Sequence, residues 1–172
     1  EAESEDGTEA EGDDFVPKDD AESVSSCDPI AQDCPDGEKC VPYIAGGDTW
    51  DADKCVPVTG VGTEGDQCIT DSLTEGTDSC DENHLCWQLV YDDDNQLVGT
   101  CLPFCMGNFD APTCGGGGEC QVTNDGAVAV CVDQCDPLVQ DCGLEGVGCY
   151  IAGGAGFFTC QPISGGYADG DP

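Results

Sequence analysis

The chain has 172 residues, of which 37 are Asp or Glu and 3 are Lys, so its formal net charge is −34. Nucleic acids and anionic membranes bind through basic surfaces, which this sequence lacks, and both classes of partner are excluded. No long apolar run occurs either, so membrane insertion is not expected. The expected partners are cations, a cationic protein surface, or further copies of the chain itself.

Residues 1–26 are predicted to form an acidic N-terminal tail. They contain eleven acidic residues and no Cys, a composition typical of disordered segments. The chain starts at Glu1 without the basic and apolar regions of a signal peptide, so we expect any signal peptide to have been removed. One apolar island, made of Phe15, Val16 and Pro17, interrupts the tail. It is interpreted either as part of a solvated tail or as an assembly segment that docks elsewhere.

Sixteen cysteines follow in four sets of four. Within a set, the second and third cysteines are 6, 6, 6 and 7 residues apart, and the third and fourth are 15, 15, 11 and 11 apart. Such a period predicts a repeat architecture. Dense, evenly numbered cysteines predict disulfides made in an oxidising compartment, and therefore a secreted, extracellular protein. The sets are Cys27, Cys34, Cys40 and Cys55; Cys68, Cys80, Cys86 and Cys101; Cys105, Cys114, Cys120 and Cys131; and Cys135, Cys142, Cys149 and Cys160.

The predicted repeats occupy residues 27–57, 68–103, 104–134 and 135–162, with a linker at 58–67 and a C-terminal tail at 163–172. Repeats one and four are visibly related, since 27–34 matches 135–142 and 43–47 matches 150–154. Units of this size cannot bury a sufficient core alone. We therefore expect disulfides, at about 2–4 kcal/mol each, to supply most of the stability.

Each repeat is predicted to contain a β-hairpin between its third and fourth cysteines. In repeat three, a turn centred on Asp125 and Gly126 places Cys120 opposite Cys131. In repeat two, the predicted hairpin tip is 92–95. No segment has a helical period with caps. The fold class is therefore small, disulfide-rich and all-β or irregular, with four tandem four-cysteine hairpin repeats in an elongated stack and little helix.

Three disulfide connectivities are possible within each set of four cysteines. We favour first-to-third with second-to-fourth, because this pairing ties the N-terminal loop of a repeat onto both strands. The alternative joins the third cysteine to the fourth across the hairpin mouth, and the sequence leaves it open.

Catalysis is not predicted. The single His, His84, lies in a short loop between two cysteines and is interpreted as a surface residue. No nucleophile-elbow, zinc-protease or phosphate-loop motif occurs. Zinc and iron–sulfur binding are disfavoured because the sequence has no Cys-x-x-Cys pair.

Calcium is the predicted cofactor, because it takes about six to eight oxygen ligands from carboxylates and carbonyls in flexible loops. Three groups of residues could supply them: the tip of hairpin two, the tip of hairpin one, and the matching first loops of repeats one and four. The alternative is that these residues only solvate turns, where Asp and Asn are favoured. The candidate ligands are Asp92, Asp93, Asp94 and Asn95; Asp48, Asp51 and Asp53; and Asp28, Asp33, Asp136 and Asp141.

The sequence has two tryptophans, which are interpreted differently. Trp87 follows Cys86 and is expected to pack on a disulfide. Trp50 lies at the tip of the first hairpin and is expected to be exposed, as a residue that contacts a partner would be.

The segment from Cys27 to Cys40, followed by Tyr43 and by 46–55, resembles a module of cysteine-rich secreted proteins from myxobacteria and related environmental bacteria. The resemblance covers 27–162 and is strongest in repeats one and four. It implies extracytoplasmic export and assigns no catalytic residue. Lipoproteins of that group begin with a lipidated cysteine, so a chain that begins with Glu1 is expected to have no such anchor.

Two functions agree with these features. The first is a structural subunit of an extracellular fibre or surface assembly, a homopolymer joined by calcium and by the donated segment Phe15–Pro17. The alternative is a monomeric secreted binding module, an inhibitor or adhesin that uses hairpin tips such as 48–53.

Overall fold

The computed structural model describes residues 26–116, 118–142, 147–151 and 156–162. Within them the chain forms short strands and a single 3₁₀ turn at Asn124–Gly126, and no α-helix. The predicted all-β, disulfide-rich class with little helix is confirmed. The strands are β1 (Glu38–Tyr43), β2 (Ala52–Pro57), β3 (Gln67–Thr70), β4 (His84–Tyr91), β5 (Leu97–Pro103), β6 (Glu119–Thr123), β7 (Val128–Val132), β8 (Val147–Ile151) and β9 (Phe158–Pro162).

Each repeat contains the predicted antiparallel hairpin. The pairs are β1 with β2, β4 with β5, β6 with β7, and β8 with β9, and β3 adds to the free side of β5. In every hairpin the third and fourth cysteines of the repeat are directly opposite. These opposed pairs are Cys40 and Cys55, Cys86 and Cys101, Cys120 and Cys131, and Cys149 and Cys160.

All sixteen cysteines are paired, first to third and second to fourth in every repeat. The favoured connectivity is confirmed, and the alternative across the hairpin mouth is wrong. Two cross-links therefore fix the loop that precedes each hairpin, one to each strand. The pairs are Cys27–Cys40, Cys34–Cys55, Cys68–Cys86, Cys80–Cys101, Cys105–Cys120, Cys114–Cys131, Cys135–Cys149 and Cys142–Cys160.

The hairpin turns follow their sequences with one difference. In repeat three, Asn124 and Asp125 have φ of 54° and 53°, the left-handed conformation that Asn and Asp tolerate. In repeat two, Tyr91 pairs with Leu97, so the loop is 92–96 and one residue longer than the predicted tip. The cause is a β-bulge in β4, which adds one residue to that strand before the turn.

A glutamine side chain is hydrogen-bonded to the backbone of β1 in repeat one. Gln32, at φ 48°, accepts the N–H of Cys40 at 2.9 Å and donates to the Cys40 carbonyl at 3.0 Å. In repeat four, Gln140, at φ 55°, accepts the N–H of Cys149 at 2.9 Å. The similarity between these two repeats therefore includes the same side-chain pairing with the third cysteine.

A shared apolar core joins the repeats. Ile30 of repeat one packs with Cys105, Ala129 and Cys131 of repeat three in a second, smaller cluster. Repeat one thus contacts repeat three as well as repeat two, so the contacts are not restricted to sequence neighbours as in a simple stack. The main cluster contains Val41, Val56, Leu85, Phe104, Val128, Val130 and Val132, and Trp50, Trp87, Leu102 and Phe157 pack against it.

The predicted linker, 58–67, lies along repeat two. The N–H of Gly62 donates to the Ser79 carbonyl at 3.0 Å, and the N–H of Gly65 donates to the Cys101 carbonyl at 3.0 Å. A Cβ atom on Gly60 would lie 1.9 Å from the Ser79 carbonyl oxygen, so the close approach requires glycine there. This segment is part of the folded body.

Candidate functional site

A cleft of about 670 Å³ opens where the four repeats meet, and it is the candidate site. Each repeat contributes to its walls. Three aromatic side chains and several side-chain amides line it. The lining residues used below are Trp50, Trp87, Tyr91, Gln121, Asn124 and Gln161.

The two tryptophans stack on each other inside the cleft. Their ring centroids are 5.0 Å apart and the rings are inclined by 27°. Both indoles are half-buried and pack against the main core, so the predicted exposure of Trp50 is wrong, whereas the packing of Trp87 on a disulfide stays a prediction. The cause is the inward fold of the first hairpin tip, where the Asn124 side-chain amide donates to the Trp50 carbonyl at 3.3 Å.

The floor of the cleft contains a strained residue. Gln88 lies in the bulge of β4 with φ of 56°, a conformation that costs a non-glycine residue about 1–3 kcal/mol. Its side-chain amide donates to the Cys160 carbonyl at 2.9 Å, which ties repeat two to repeat four. Bulges and strained residues of this kind are frequent beside functional sites.

Gly99 makes this bulge possible. It lies opposite Gln88 on β5, and a Cβ atom there would be 2.3 Å from the Trp87 carbonyl oxygen. No side chain can occupy that position without moving β4. The position of Trp87 in the cleft therefore depends on a glycine in the neighbouring strand.

The described lining residues of the cleft include one carboxylate, Asp48, and no basic side chain. Asp48 is exposed at its edge. Lys54 is the described lysine closest to Asp48 in the sequence, and it does not line the cleft. Its Nζ lies 4.6 Å from the centroid of the Tyr43 ring and donates to the Thr74 carbonyl at 2.8 Å.

A buried ion pair fixes repeat one against repeat two. Lys39 is 1% exposed, and its Nζ lies 2.7 Å from Oδ1 of Asp78. The same ammonium donates to the carbonyls of Cys80, Asp81 and His84 at 3.2, 3.1 and 2.8 Å. Burial lowers the pKa of the Lys39 ammonium, and the neighbouring Asp78 carboxylate offsets this only in part.

Both carboxylate oxygens of Asp78 accept hydrogen bonds. Besides Lys39, it accepts the N–H of Cys80 at 2.8 Å and the N–H of Cys86 at 3.1 Å. A buried charge is tolerated only when it is paired and hydrogen-bonded in this way. The arrangement is structural, and it orders the loop between the two cysteines.

His84 is the first residue of β4, directly after that loop. Its side chain is 13% exposed, and Nδ1 is hydrogen-bonded to the Asp81 carboxylate, so it is less exposed than the sequence indicated. Burial would raise the pKa of Asp81, but the hydrogen bonds from His84 and from the Asn83 N–H outweigh it and lower the pKa. His84 does not line the Trp50–Trp87 cleft.

In the first hairpin, the predicted calcium ligands have three different environments. The Asp51 carboxylate accepts the N–H groups of Ala45, Gly46 and Gly47 at 2.7, 3.3 and 2.8 Å, and these bonds lower its pKa. Asp53 is buried, with 3% of its surface exposed, whereas Asp48 is exposed.

The predicted ligands in the first loops stabilise turns. Asp28 Oδ1 accepts the N–H groups of Ile30 and Ala31 at 2.8 and 3.0 Å, and Asp33 Oδ1 accepts the N–H of Asp28 at 2.9 Å. Repeat four has the same arrangement: Asp136 accepts the N–H of Leu138 at 2.8 Å, and Asp141 accepts that of Asp136 at 2.9 Å. These bonds use the carboxylates as turn caps.

At the tip of hairpin two, Asp92 Oδ1 accepts the N–H groups of Asp94 and Gln96 at 3.0 and 2.8 Å. Asp93, Asp94 and Asn95 are exposed, and Asn95 has φ of 61°. The tip therefore also has a local structural role.

Asp28, Asp51 and Asp53 come from two different groups of predicted calcium ligands, yet all three line one cavity of about 430 Å³. Asp125 lines the same cavity. Sequence reasoning had placed Asp28 and the first hairpin tip in separate groups. The two segments meet beside repeat one's own strand β2, where the N–H of Ser26 donates to the Asp53 carbonyl at 2.8 Å, and only Asp125 comes from repeat three. Calcium binding at these positions stays a prediction.

Phe15, Val16 and Pro17 lie outside the described residues. Three of the four cysteine sulfurs in each repeat lie within 4.8 Å of one another, but all are in disulfides and none is free as a thiolate metal ligand.

Sequence reasoning missed Gln88, Gly99 and the Lys39–Asp78 pair. A glycine inside a strand often marks the close approach of another backbone, and Gly99 in β5 gave this weak signal for the bulge in the neighbouring strand β4. The ion pair had no local signal, because its partners are 39 residues apart.

In the described part of the chain, no helix is long and apolar enough to cross a membrane. The chain matches no protein-family model, no curated protein and no solved structure. The resemblance to myxobacterial secreted modules therefore stays a prediction, and the geometry of the cleft is the basis for a functional conclusion.

Proposed function

We propose that this protein is a secreted, disulfide-stabilised binding module that holds its ligand in the cleft between the four repeats. The observation that carries the proposal is the stacked, half-buried pair of Trp50 and Trp87, which lies in a concave site with walls from every repeat. Ligand sites are typically concave and mostly apolar, with a few polar groups that orient the ligand.

The lining chemistry favours binding over catalysis. General acid–base and nucleophilic catalysis need a titratable group held close to a partner that activates it. Among the described lining residues, the only carboxylate is the exposed Asp48, and the others are apolar, aromatic, hydroxyl or amide side chains. These groups orient and stack a ligand.

Secretion is part of the proposal. Eight disulfides indicate folding in an oxidising environment. A binding module exposed outside the cell needs a rigid site that survives without chaperones. Cross-links in all four repeats provide that rigidity, because each fixes a loop onto its own hairpin.

The test uses the intrinsic fluorescence of the chain. The sequence has two tryptophans, and both line the cleft, so indole emission reports on this site alone. We expect one ligand class in a panel of basic peptides, acidic peptides and neutral oligosaccharides to shift the emission in a saturable way.

Tyr91→Leu provides the site-directed variant, because Tyr91 lines the cleft and is 65% exposed, so its loss leaves the core intact. Tyr150→Leu is the matched control, an exposed tyrosine outside the cleft. Weaker binding by the first variant alone supports the proposal. Equal binding by both variants, or no saturable shift with any class, contradicts it.

A second candidate, the structural subunit of an extracellular assembly, is favoured by one observation in repeat four. Leu138 occupies the position that Ile30 has in repeat one, yet Leu138 is 93% exposed and Ile30 is 4% exposed. Ile30 is covered by repeat three, so a neighbouring subunit could cover Leu138 in the same way. The substitution Leu138→Ser should then abolish polymers, and polymers that persist in this variant contradict the candidate.

A further inference from the structure

We propose that the cleft binds a Lys or Arg side chain from a basic segment of a partner protein. This inference rests on the binding function proposed above and names the chemistry of its ligand. Three features support it: the charge of the whole chain, the aromatic lining of the cleft, and the positions of the two described lysines.

Charge excludes one class of ligand and favours another. The net charge of −34 produces a negative potential around the molecule, which repels anions and concentrates cations near the surface. The rim of the cleft carries the exposed carboxylate of Asp48 and no described basic side chain. Electrostatic complementarity therefore selects a cationic partner and accelerates its association.

The aromatic lining supplies short-range affinity for the same ligand. An ammonium or guanidinium group within about 6 Å of an aromatic ring is attracted by the ring, and tryptophan is the strongest of the aromatic side chains. Trp50, Trp87 and Tyr91 all line the cleft. The alkyl stem of a Lys or Arg can pack on the apolar lining residues Ile44 and Leu97 while its charged end approaches Asp48.

The molecule already binds its own cations by these two means. Lys54 lies over the ring of Tyr43, and Lys39 is surrounded by a carboxylate and three carbonyls. Neither of them lines the cleft, and Lys18, the remaining lysine, lies outside the described residues. Neither described lysine therefore occupies the cleft, whose lining resembles the surroundings that the chain provides for its own lysines.

The experiment is a titration of the unreduced full-length chain with hexalysine at physiological ionic strength, followed by tryptophan emission. Hexaglutamine, of the same length without charge, is the peptide control. We expect saturable binding of hexalysine and none of hexaglutamine. Equal responses to the two peptides overturn the inference.

A matched pair of variants separates the cleft from the general charge of the protein. Asp48→Asn removes the carboxylate at the rim, and Asp36→Asn removes an exposed carboxylate at the opposite end of β1. We expect Asp48→Asn to weaken hexalysine binding about two- to fivefold, because a close charge pair is lost. Asp36→Asn should change it less, since distant charges are screened by salt. Equal losses of hexalysine affinity in the two variants indicate nonspecific attraction to a polyanion and overturn the inference.

The outcome also distinguishes this inference from the binding function itself. A neutral oligosaccharide that shifts the tryptophan emission, loses affinity in Tyr91→Leu and is not displaced by hexalysine overturns the cationic ligand and leaves the binding module intact. If neither hexalysine nor any ligand class shifts the emission, both proposals fail.

Discussion

The Lys39 ammonium of repeat one is bound entirely by groups of repeat two. It is buried and has four oxygen partners, all from the loop 78–84 of repeat two. Removing one partner of a buried ion pair leaves the other charge without compensation. The loop then also loses the donor that connects its three carbonyls.

We predict that Lys39→Met lowers the free energy of unfolding by about 3–5 kcal/mol, which is the usual cost of breaking a buried pair from one side. Guanidinium chloride unfolding of the unreduced protein measures this loss. Lys54→Met is the matched control, because Lys54 is only partly buried and makes no carboxylate pair among the described residues. It should cost less than about 1 kcal/mol. Similar losses in the two variants contradict the structural role of Lys39.

Gly99 is the residue that allows the bulge under Trp87. The variant Gly99→Ala should destabilise the protein by about 1–3 kcal/mol, because a Cβ atom would collide with the Trp87 carbonyl. It should also shift the tryptophan emission, since β4 has to move. Gly116→Ala is the control, as a Cβ atom there meets nothing within 4 Å. An unchanged emission spectrum in Gly99→Ala would show that the bulge does not position Trp87.

At the scale of the element, each repeat consists of a hairpin and a loop held on it by two disulfides. The sequence allowed the hairpins to be predicted because the third and fourth cysteines are equidistant from turn residues such as Asp125 and Gly126. It allowed the disulfide pairing to be favoured but not decided, since both connectivities fit the same spacing. The longer loop at 92–96 was missed because a bulge has only a weak local signal.

Disulfides that close loops of similar length should still differ in their contribution. Cys80–Cys101 spans 21 residues and Cys142–Cys160 spans 18, so the loop-entropy contributions are nearly equal. Cys80 and Cys101 are fully buried, whereas Cys142 and Cys160 are half-buried. Replacing the buried pair with alanines should cost about 1–2 kcal/mol more, because it leaves a larger cavity. Thermal unfolding of the two double variants tests this, and equal losses would contradict it.

The acidic loops were interpreted from the sequence as calcium sites, with turn solvation as the alternative. In the structure, carboxylates such as Asp28, Asp51 and Asp92 accept backbone N–H groups of their own turns. This local role follows from the known preference of Asp for turns. Asp28, Asp51 and Asp53 all belong to repeat one. Their proximity to Asp125 could not be predicted, because it requires the packing of repeat one on repeat three.

At the scale of the whole molecule, pH acts on stability in two opposite ways. Lowering the pH from 7 reduces the negative charge and relieves self-repulsion, which stabilises the fold. The carboxyls of Asp51, Asp66 and Asp81 have pKa values below their ordinary value of 3.8. Their stabilisation is therefore complete above about pH 3.8 and is lost as the pH falls through the lower folded-state values.

We accordingly predict that the melting temperature rises from pH 7 to about pH 4 and falls at lower pH. Calorimetry across this range measures both the rise of the melting temperature and its fall in acid, the acid limb. Asp51→Asn should flatten the acid limb, since it removes a carboxylate that accepts three backbone N–H groups. Asp36→Asn should leave that limb unchanged. A melting temperature that falls steadily from pH 7 would contradict the dominant role of self-repulsion.

The packing of the four repeats around one core is the feature of the whole molecule that sequence spacing did not predict. Contacts such as that of Ile30 with repeat three, or of Gln88 with repeat four, join residues far apart in the chain and have no periodic signal. The contact of Gln88 with repeat four forms part of the cleft wall. Trp50 was identified from the sequence as a contact residue and Trp87 as a packing residue, but their stacking, and therefore the site, depends on long-range packing.

The most direct test of the account is sedimentation velocity of the unreduced full-length protein, in calcium and again in a chelator. A binding module whose repeats share one core, with a net charge of −34, should sediment as a monomer in both buffers. A polymer that forms in calcium and dissolves in the chelator would contradict this account and support a structural subunit joined through its carboxylates.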